Sequence, residues 1–527
     1  MHPLEIFDKL LKYYGLDKTD YLTLASEVNF DSFPSPQNFK DITKTKERIF
    51  KAIENDELIL IYGDYDADGI FATSILAKTF NMLNYHRYIY YIPSRFVDGY
   101  GLNIHQVDVA KEKGVSLIIT VDNGVSAFEA IDHAKELGID VIVTDHHAYE
   151  TLPINAYSVL HFSLGYGDIP ISGAFTAFLL ASSLLNYYDE YLFIFGAFSL
   201  VSDLMPIRGY NHAILKLALK ILREKLRKDK KYLPILYLSD GKDIDENVIG
   251  SYIAPKINAV GRIAKDDSAN KVVQFLISEN ENEMNELFRF IYDENEYRKK
   301  LTLELAEVLK PKEDALFFYY DKNIHEGLLG LVANRILANI HHPVIIMSDA
   351  MNEEGVIKGS IRSRHGFSAI EALKSASSLL LAYGGHELAG GFSLLKENLE
   401  HFKNVLLELD QKYPFIIENE DGISLRSEDI NKDTYDIVCS FAPFGMEFNA
   451  PIFRLRSIKI NNLNVSRDGK HIIHQLTNRT KIVIFNYAKI ISDINKNYDL
   501  LGHINASTFR NITTYDFIVD KVDITNK

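Results

Sequence analysis

Three stretches of this chain are apolar almost from end to end and short enough to be strands. They are Leu58-Ile59-Leu60-Ile61, Ser116-Leu117-Ile118-Ile119-Thr120-Val121 and Asp140-Val141-Ile142-Val143-Thr144. A strand that does not alternate apolar with polar residues has to be covered on both faces, and helical patterns over residues 70–80 and 127–137 lie between these runs. The combination predicts a parallel sheet with helices on either side, the α/β class. Each run also ends in residues able to bind a cation. The first leads into Gly63-Asp64-Tyr65-Asp66-Ala67-Asp68-Gly69, the second into Asp122-Asn123-Gly124 and the third into Asp145-His146-His147. Open α/β sheets place their ligands at the carboxyl ends of strands. Alternate spacing puts Asp64, Asp66 and Asp68 on one side of an extended segment. Three anions so close repel one another unless a cation sits between them.

A later turn adds Ser202-Asp203 to the set. Oxygen-rich ligands with a minority of imidazole suit Mn²⁺ or Mg²⁺, and the absence of thiolates argues against a structural zinc site. The carboxylates outnumber what one ion needs. Two divalent cations bridged by one carboxylate account for them, an arrangement suited to in-line phosphoryl displacement, with His147 left to contact the phosphate.

The 527 residues leave room for about three domains. Residues 1–50 read as an N-terminal cap on the first domain, 51–269 as the first α/β domain and 270–312 as one long charged helix bridging to a second. Residues 313–425 repeat the α/β pattern from Ala315-Leu316-Phe317-Phe318-Tyr319-Tyr320 onward, and 430–527 give the short strands of a small barrel. A Lys- and Arg-rich helix over 215–232 reads as a solvated face. The net charge of −15 argues against a general nucleic-acid binder but leaves room for a local basic groove. Cys439 is the only cysteine, so no internal disulfide forms and a reducing cytoplasm is expected. Glu5 stands where a signal peptide would carry basic residues, and no apolar run reaches the ~20 residues of a membrane span.

The four acidic segments, in this order, resemble the successive motifs of the DHH phosphoesterase superfamily and, within it, its single-strand-specific exonucleases. The similarity extends along the chain. Pro93-Ser94-Arg95 with Gly99-Tyr100-Gly101 resembles the loop lining the DNA path, and Ala254-Pro255-Lys256-Ile257-Asn258-Ala259-Val260-Gly261-Arg262 an Arg-Asn-Ala-Gly-Arg segment. Gly327-Leu328-Leu329-Gly330, Gly359-Ser360-Ile361-Arg362-Ser363 and Gly384-Gly385-His386 are similar to the DHH-associated domain. Ala442-Pro443-Phe444-Gly445-Met446 introduces a segment like the OB-fold.

The resemblance implies a 5′→3′ exonuclease on single-stranded DNA, acting in recombination and repair with two divalent cations, Mn²⁺ or Mg²⁺. It implies Asp66, Asp68, Asp122, His146 and Asp203 as metal ligands with Asp122 bridging, Asp64 near an extra ligand position, and Asp145 orienting His146. Arg262, Ser360 and Arg362 would grip the 5′-terminal phosphate, His386 would sit near the scissile group, and Arg95 and Tyr100 would contact the strand. A cytoplasmic monomer is implied, with single-strand-binding protein and a RecQ-type helicase as partners. Lys256 stands where the family shows Arg, and Glu447-Phe448-Asn449 where it favours Gly-Asn-Pro. Two other readings compete: a DHH phosphodiesterase for oligoribonucleotides or cyclic dinucleotides, and a non-catalytic single-strand-binding replication factor. Residues 430–527 speak against the first, and the full ligand set against the second.

Overall fold

The computed structural model describes residues 3–94, 96–99, 101–263, 268–311, 315–412, 422–460, 464–467, 469–477, 480–485, 496–509 and 512–524. The chain divides into two compact units. One comprises Ser35–Asp203 with Ile221–Glu418, and the other gathers Met1–Pro34, Leu204–Lys220 and Asn419–Lys527.

The larger unit opens with the expected parallel sheet. Its strands are β1 (Leu58–Tyr62), β2 (Tyr88–Tyr91), β3 (Val115–Val121), β4 (Asp140–Thr144) and β5 (Ser158–Leu160), in the spatial order 2-1-3-4-5. Every neighbouring pair is parallel. The chain passes from β1 to β2 on one side and then crosses to β3 on the other, so the order reverses beside β1. A crevice therefore opens at the carboxyl ends of β1 and β3, where such sheets take their ligands. One sheet face packs Leu60, Ile118, Val141 and Val143 against Val107, Ile131 and Ala134. On three apolar helices, α1 (Ala67–Met82), α2 (Gly173–Leu185) and α3 (Glu190–Ser202), nearly every residue is buried. Their phenylalanines interlock, Phe71 on Phe195 at 5.2 Å and Phe178 on Phe193 at 5.4 Å between ring centres. A helix that is apolar all round is a core helix or a membrane span. Among the described residues, none is long and apolar enough to cross a membrane.

The bridge expected over 270–312 is two helices rather than one. After α4 (Ala254–Ile263) come α5 (Ser268–Ile277) and α6 (Glu281–Val308). Asn280 ends the continuity because its side chain accepts the main-chain N–H groups of Asn282 and Glu283, which caps a new helix. The basic helix also differs from expectation and runs Tyr210–Lys225.

The second half of this unit has a mixed sheet, β6 (Phe317–Tyr320), β7 (Val344–Asp349), β8 (Val356–Arg362), β9 (Leu380–Gly385) and β10 (Ala389–Leu395), ordered 6-7-8-10-9. The helix α7 (Leu329–Leu337) packs on it through Val332, Ala333 and Ile336. Ser360 lies opposite Gly391 and Arg362 opposite Ala389 on adjacent antiparallel strands.

The smaller unit holds a seven-stranded sheet: β11 (Ile423–Leu425), β12 (Phe453–Lys459), β13 (Asn464–Val465), β14 (Ile472–Thr477), β15 (Thr480–Ile484), β16 (Asn497–Phe509) and β17 (Ile512–Ile524). The chain's first residues, read from sequence as a cap on the α/β domain, belong to this unit as far as Pro34. The reason is aromatic packing: Phe7, Tyr14 and Tyr21 surround Phe441, with ring centres 5.9, 5.5 and 4.9 Å away.

Candidate metal centre

The convergence of Asp64, Asp66 and Asp68 has a different cause from the strand alternation read in the sequence. The strand β1 stops at Tyr62, and Asp66 is the N-cap of α1, its carboxylate accepting the N–H groups of Asp68 and Gly69 at 3.0 and 3.2 Å. Asp68 already belongs to the first helical turn. The start of α2 receives it, with Gly173 and Ala174 each donating a main-chain N–H at 2.7 Å. Anions at helix N-termini gain from the unpaired amides and the helix dipole.

Asp122 follows β3 in the left-handed region, at φ 62°. Its neighbour Asn123 holds that turn in place. Asn123 Nδ2 donates to the carbonyls of Tyr62, Gly63 and Val121, tying the ends of β1 and β3 together. Gly173 makes room for the Asp122 carboxylate, since a Cβ there would stand 2.5 Å from Asp122 Oδ1. After β4, Asp145 accepts four hydrogen bonds: from Val125 N–H, from the main-chain N–H groups of His146 and His147, and from His147 Nδ1 at 2.8 Å. The ring that Asp145 orients is therefore that of His147, not that of His146. Asp145 touches His146 only at the main chain.

His146 Nε2 faces three carboxylates, Asp122 at 3.1 Å, Asp203 at 3.4 Å and Asp68 at 3.6 Å. Asp203 caps the carboxyl end of α3. Candidate ligand atoms fall into three overlapping groups, Asp64 with Asp66 and Asp122, Asp68 with His146 and Asp203, and Asp122 with both histidines, within 4.8 Å in each. Burial, then the charge of Asp66, pushes Asp68 up to about 7. Burial and the same crowd of carboxylates raise Asp122 well above the usual range and raise Asp203 too. Burial, then His147, pulls His146 down to about 3, so its ring is neutral. For His147, burial works the other way, but the bond to Asp145 and the surrounding carboxylates prevail and push it up to about 9. Two buried atoms at the centre, Asp122 Oδ1 and His146 Nε2, have no hydrogen-bond partner among the described residues. Orphaned acceptors amid mutually repelling carboxylates are the electrostatic signature of a cation site.

A cavity of about 510 Å³ adjoins this group, lined by Asp66, Tyr65, Arg262, Gly330, Ser360 and Arg362 among others. Arg362 Nη1 donates to Ser360 Oγ at 2.7 Å and to the Ile361 carbonyl at 2.8 Å. Burial lowers the pKa of its guanidinium. Three of the sequence-predicted phosphate contacts thus share one cavity with Asp66. Lys256 does not join them. It is buried, and its Nζ donates to Asp240 at 2.9 Å and to the carbonyls of Leu238 and Tyr252. His386 stands exposed on the turn after β9 and is not among the residues lining the cavity. Arg95 and Tyr100 lie outside the described residues.

Three family models match the chain: "DHH family, N-terminal domain" over residues 58–193, "DHHA1 domain" over 313–411 and "RecJ OB domain" over 423–521. The single-stranded-DNA-specific exonuclease RecJ of Salmonella typhimurium strain LT2 is 30% identical over 456 residues, 79% of this chain and 78% of that one. The chain belongs to the RecJ family. The RecJ of Bacillus subtilis strain 168 is 32% identical over 459 residues, and the chain spans 85% of its own length but 58% of that protein's. The fold matches the crystal structure of RecJ from Thermus thermophilus in complex with Mn²⁺, with a TM-score of 0.83 over 98% of this chain and 75% of that chain at 23% identity.

Within the RecJ architecture, Asn123 and Gly173 are site-forming residues that sequence reasoning passed over. Asn123 works through three main-chain carbonyls and Gly173 through the side chain it lacks. The one available signal was a glycine at the start of an otherwise apolar helix.

Proposed function

We propose that this chain is a metal-dependent exonuclease that hydrolyses single-stranded DNA from a phosphorylated 5′ end, in the 5′→3′ direction. The observation that carries the reading is the double position of Asp66, which belongs to the carboxylate group and also lines the cavity of Arg262, Ser360 and Arg362. A chain end gripped in that cavity brings its first phosphodiester to the carboxylates and leaves the rest of the strand outside. Membership of a family whose members are named single-stranded-DNA-specific exonucleases supports the same activity.

Asp66, Asp68, Asp122, His146 and Asp203 would hold two divalent cations, Mn²⁺ or Mg²⁺, with Asp122 shared and Asp64 on the Asp66 side. The orphaned Asp122 Oδ1 and His146 Nε2 fit that assignment, and an oxygen-rich set suits hard cations. Such a pair supplies Lewis acidity and a nucleophile at neutral pH for in-line phosphoryl displacement. The chain's own groups do the rest. Arg262 and Arg362 receive the terminal phosphate dianion, the guanidinium fork matching two of its oxygens and Ser360 adding a hydroxyl. His147, kept cationic by Asp145, donates to an oxygen of the scissile phosphate. The RecJ OB domain adds affinity for single strands through phosphate and base contacts. In the cell the enzyme would act in the cytoplasm as a monomer, in recombination and repair, beside single-strand-binding protein and a RecQ-type helicase.

The test is digestion of matched single strands labelled at either end, with Mn²⁺. Mononucleotides should leave a 5′ label first, and duplex DNA should resist. Release from a 3′ label first, or faster cutting of short oligoribonucleotides or cyclic dinucleotides, would overturn the reading.

A further inference from the structure

We infer that His161 is a positioning residue for His147, a role that rests on the phosphate contact proposed above. His161 directly follows β5, a strand that carries none of the site residues, and it is 2% exposed. Its Nε2–H donates to the main-chain carbonyl of His147 at 3.1 Å. On the other side of the ring, Nδ1 accepts from Ser163, from the main-chain N–H at 3.2 Å and from the hydroxyl at 2.8 Å. A proton on Nδ1 would face the Ser163 main-chain N–H, so this bond fixes the neutral tautomer that carries its hydrogen on Nε2. Tyr149 meets the ring edge-on at 5.0 Å, Phe162 lies at 4.6 Å, and the Tyr149 hydroxyl is 3.0 Å from Ser163 Oγ. Position, tautomer and orientation of this imidazole are all determined by its surroundings.

His147 is thereby pinned twice, by different means. Asp145 holds its ring at Nδ1 and sets the ring's rotation. His161 holds its carbonyl and sets where the backbone carries that ring. Asp145 also accepts the main-chain N–H of His147 at 3.1 Å, but its bonds to that residue all go to one oxygen, Oδ1, and leave the carbonyl end for His161 to hold. The strand β5 supplies the second pin, and so the end of β5 determines how far His147 reaches toward the phosphate.

The experiment compares His161→Phe with His161→Gln, each in the wild-type and the His147→Gln backgrounds, reading kcat and KM on a 5′-phosphorylated single strand. Phenylalanine keeps the ring's bulk and stacking but deletes all three bonds. Glutamine returns an amide donor at the reach of the imidazole Nε2. His161→Phe should lower kcat by about 3–10-fold, as the loss of one buried neutral hydrogen bond implies, with KM nearly unchanged. His161→Gln should recover most of that loss. In the His147→Gln background the penalty for His161→Phe should disappear, because residues that act as one unit are not additive. If His147→Gln by itself leaves kcat unchanged, the phosphate contact falls and takes this inference with it. If His147→Gln is impaired but His161→Phe costs the same in both backgrounds, or acts on KM alone, the pin is refuted while the phosphate contact stands. Ser163→Ala provides a gentler variant should His161→Phe fail to fold. It should show a smaller kcat loss that again vanishes with His147→Gln, and a loss that persists there overturns the inference.

Discussion

Asp122 keeps a left-handed backbone, which costs a residue with a Cβ roughly 1–2 kcal/mol, and sets its carboxylate among other buried carboxylates. A site that is costly in the metal-free protein recovers that cost when a cation arrives. Asp122→Asn should therefore fold at least as stably as wild type without metal, since asparagine tolerates the same backbone and carries no charge. The rise in Tm that Mn²⁺ gives the wild type should be lost, because a ligand that binds only the native state stabilises by mass action. Cleavage should fall by far more than the 10–100-fold typical of contacts behind a ligand. A variant that still gains Tm with Mn²⁺ would remove Asp122 from the metal set. At the same scale, Arg362→Ala should slow digestion of 5′-phosphorylated strands by about 10–150-fold and of 5′-hydroxyl strands much less, the worth of a charge-assisted bond. Equal losses on both substrates would place the origin of polarity elsewhere. Every proposed metal ligand was legible in the sequence, because acids closing an apolar run have few other uses. What stayed illegible was how they converge. Asp66 and Asp68 meet through a helix cap rather than a strand's pleat, and Asp145 chose the ring of His147. Partners that act through main-chain groups, as Asn123 and His161 do, leave no charge pattern to read.

Among elements, the contact between α4 and the turn before α7 shapes the cavity that holds Arg262, Ser360 and Arg362. A Cβ on Gly327 would run into the carbonyl oxygen of Arg262, and one on Gly261 would stand 2.5 Å from the carbonyl of Tyr65. Backbone meets backbone at both points, so neither neighbour can rotate aside. Gly327→Ala should push α4 away from Ser360 and Arg362 and remove Arg262 from the phosphate. The expected result is a narrowed rate difference between 5′-phosphate and 5′-hydroxyl strands with the Mn²⁺-induced rise in Tm retained. Loss of the metal response as well would mean that the two halves of this unit move together. The parallel sheet was readable because its strands are apolar on both faces. The break at Asn280 was not, since the charged pattern runs on through it and only a side-chain cap marks the new start.

At the scale of the molecule, the smaller unit buries His212, which donates from Nε2 to the Phe441 carbonyl at 3.1 Å and meets the edge of Phe448. Burial, then nearby Lys216, pulls its pKa down to about 4 against the bond to Phe441. Unfolded, the same ring titrates near 6.5, so between about pH 6.5 and 4 the unfolded chain binds a proton that the folded chain refuses. Stability is therefore full above about pH 6.5 and is lost as pH falls toward 4, at no more than about 1.4 kcal/mol per pH unit. Denaturant midpoints at pH 7 and pH 5 should differ for the wild type and converge in His212→Gln, which keeps a donor but cannot titrate. A pH response that survives the substitution would exclude His212 as its source. The barrel strands of 430–527 were legible in the sequence, but that residues 1–34 and 204–220 join them was not, because these parts lie at the beginning and middle of the chain. Segments so far apart meet late. A ribosome makes roughly 5–20 residues per second, so the first helix, Pro3–Tyr14, waits some tens of seconds after leaving the tunnel for Phe441 to be made. Until then Ile6, Leu10 and Leu11, buried in the finished protein, lack the part of their unit that residues 419–527 contribute.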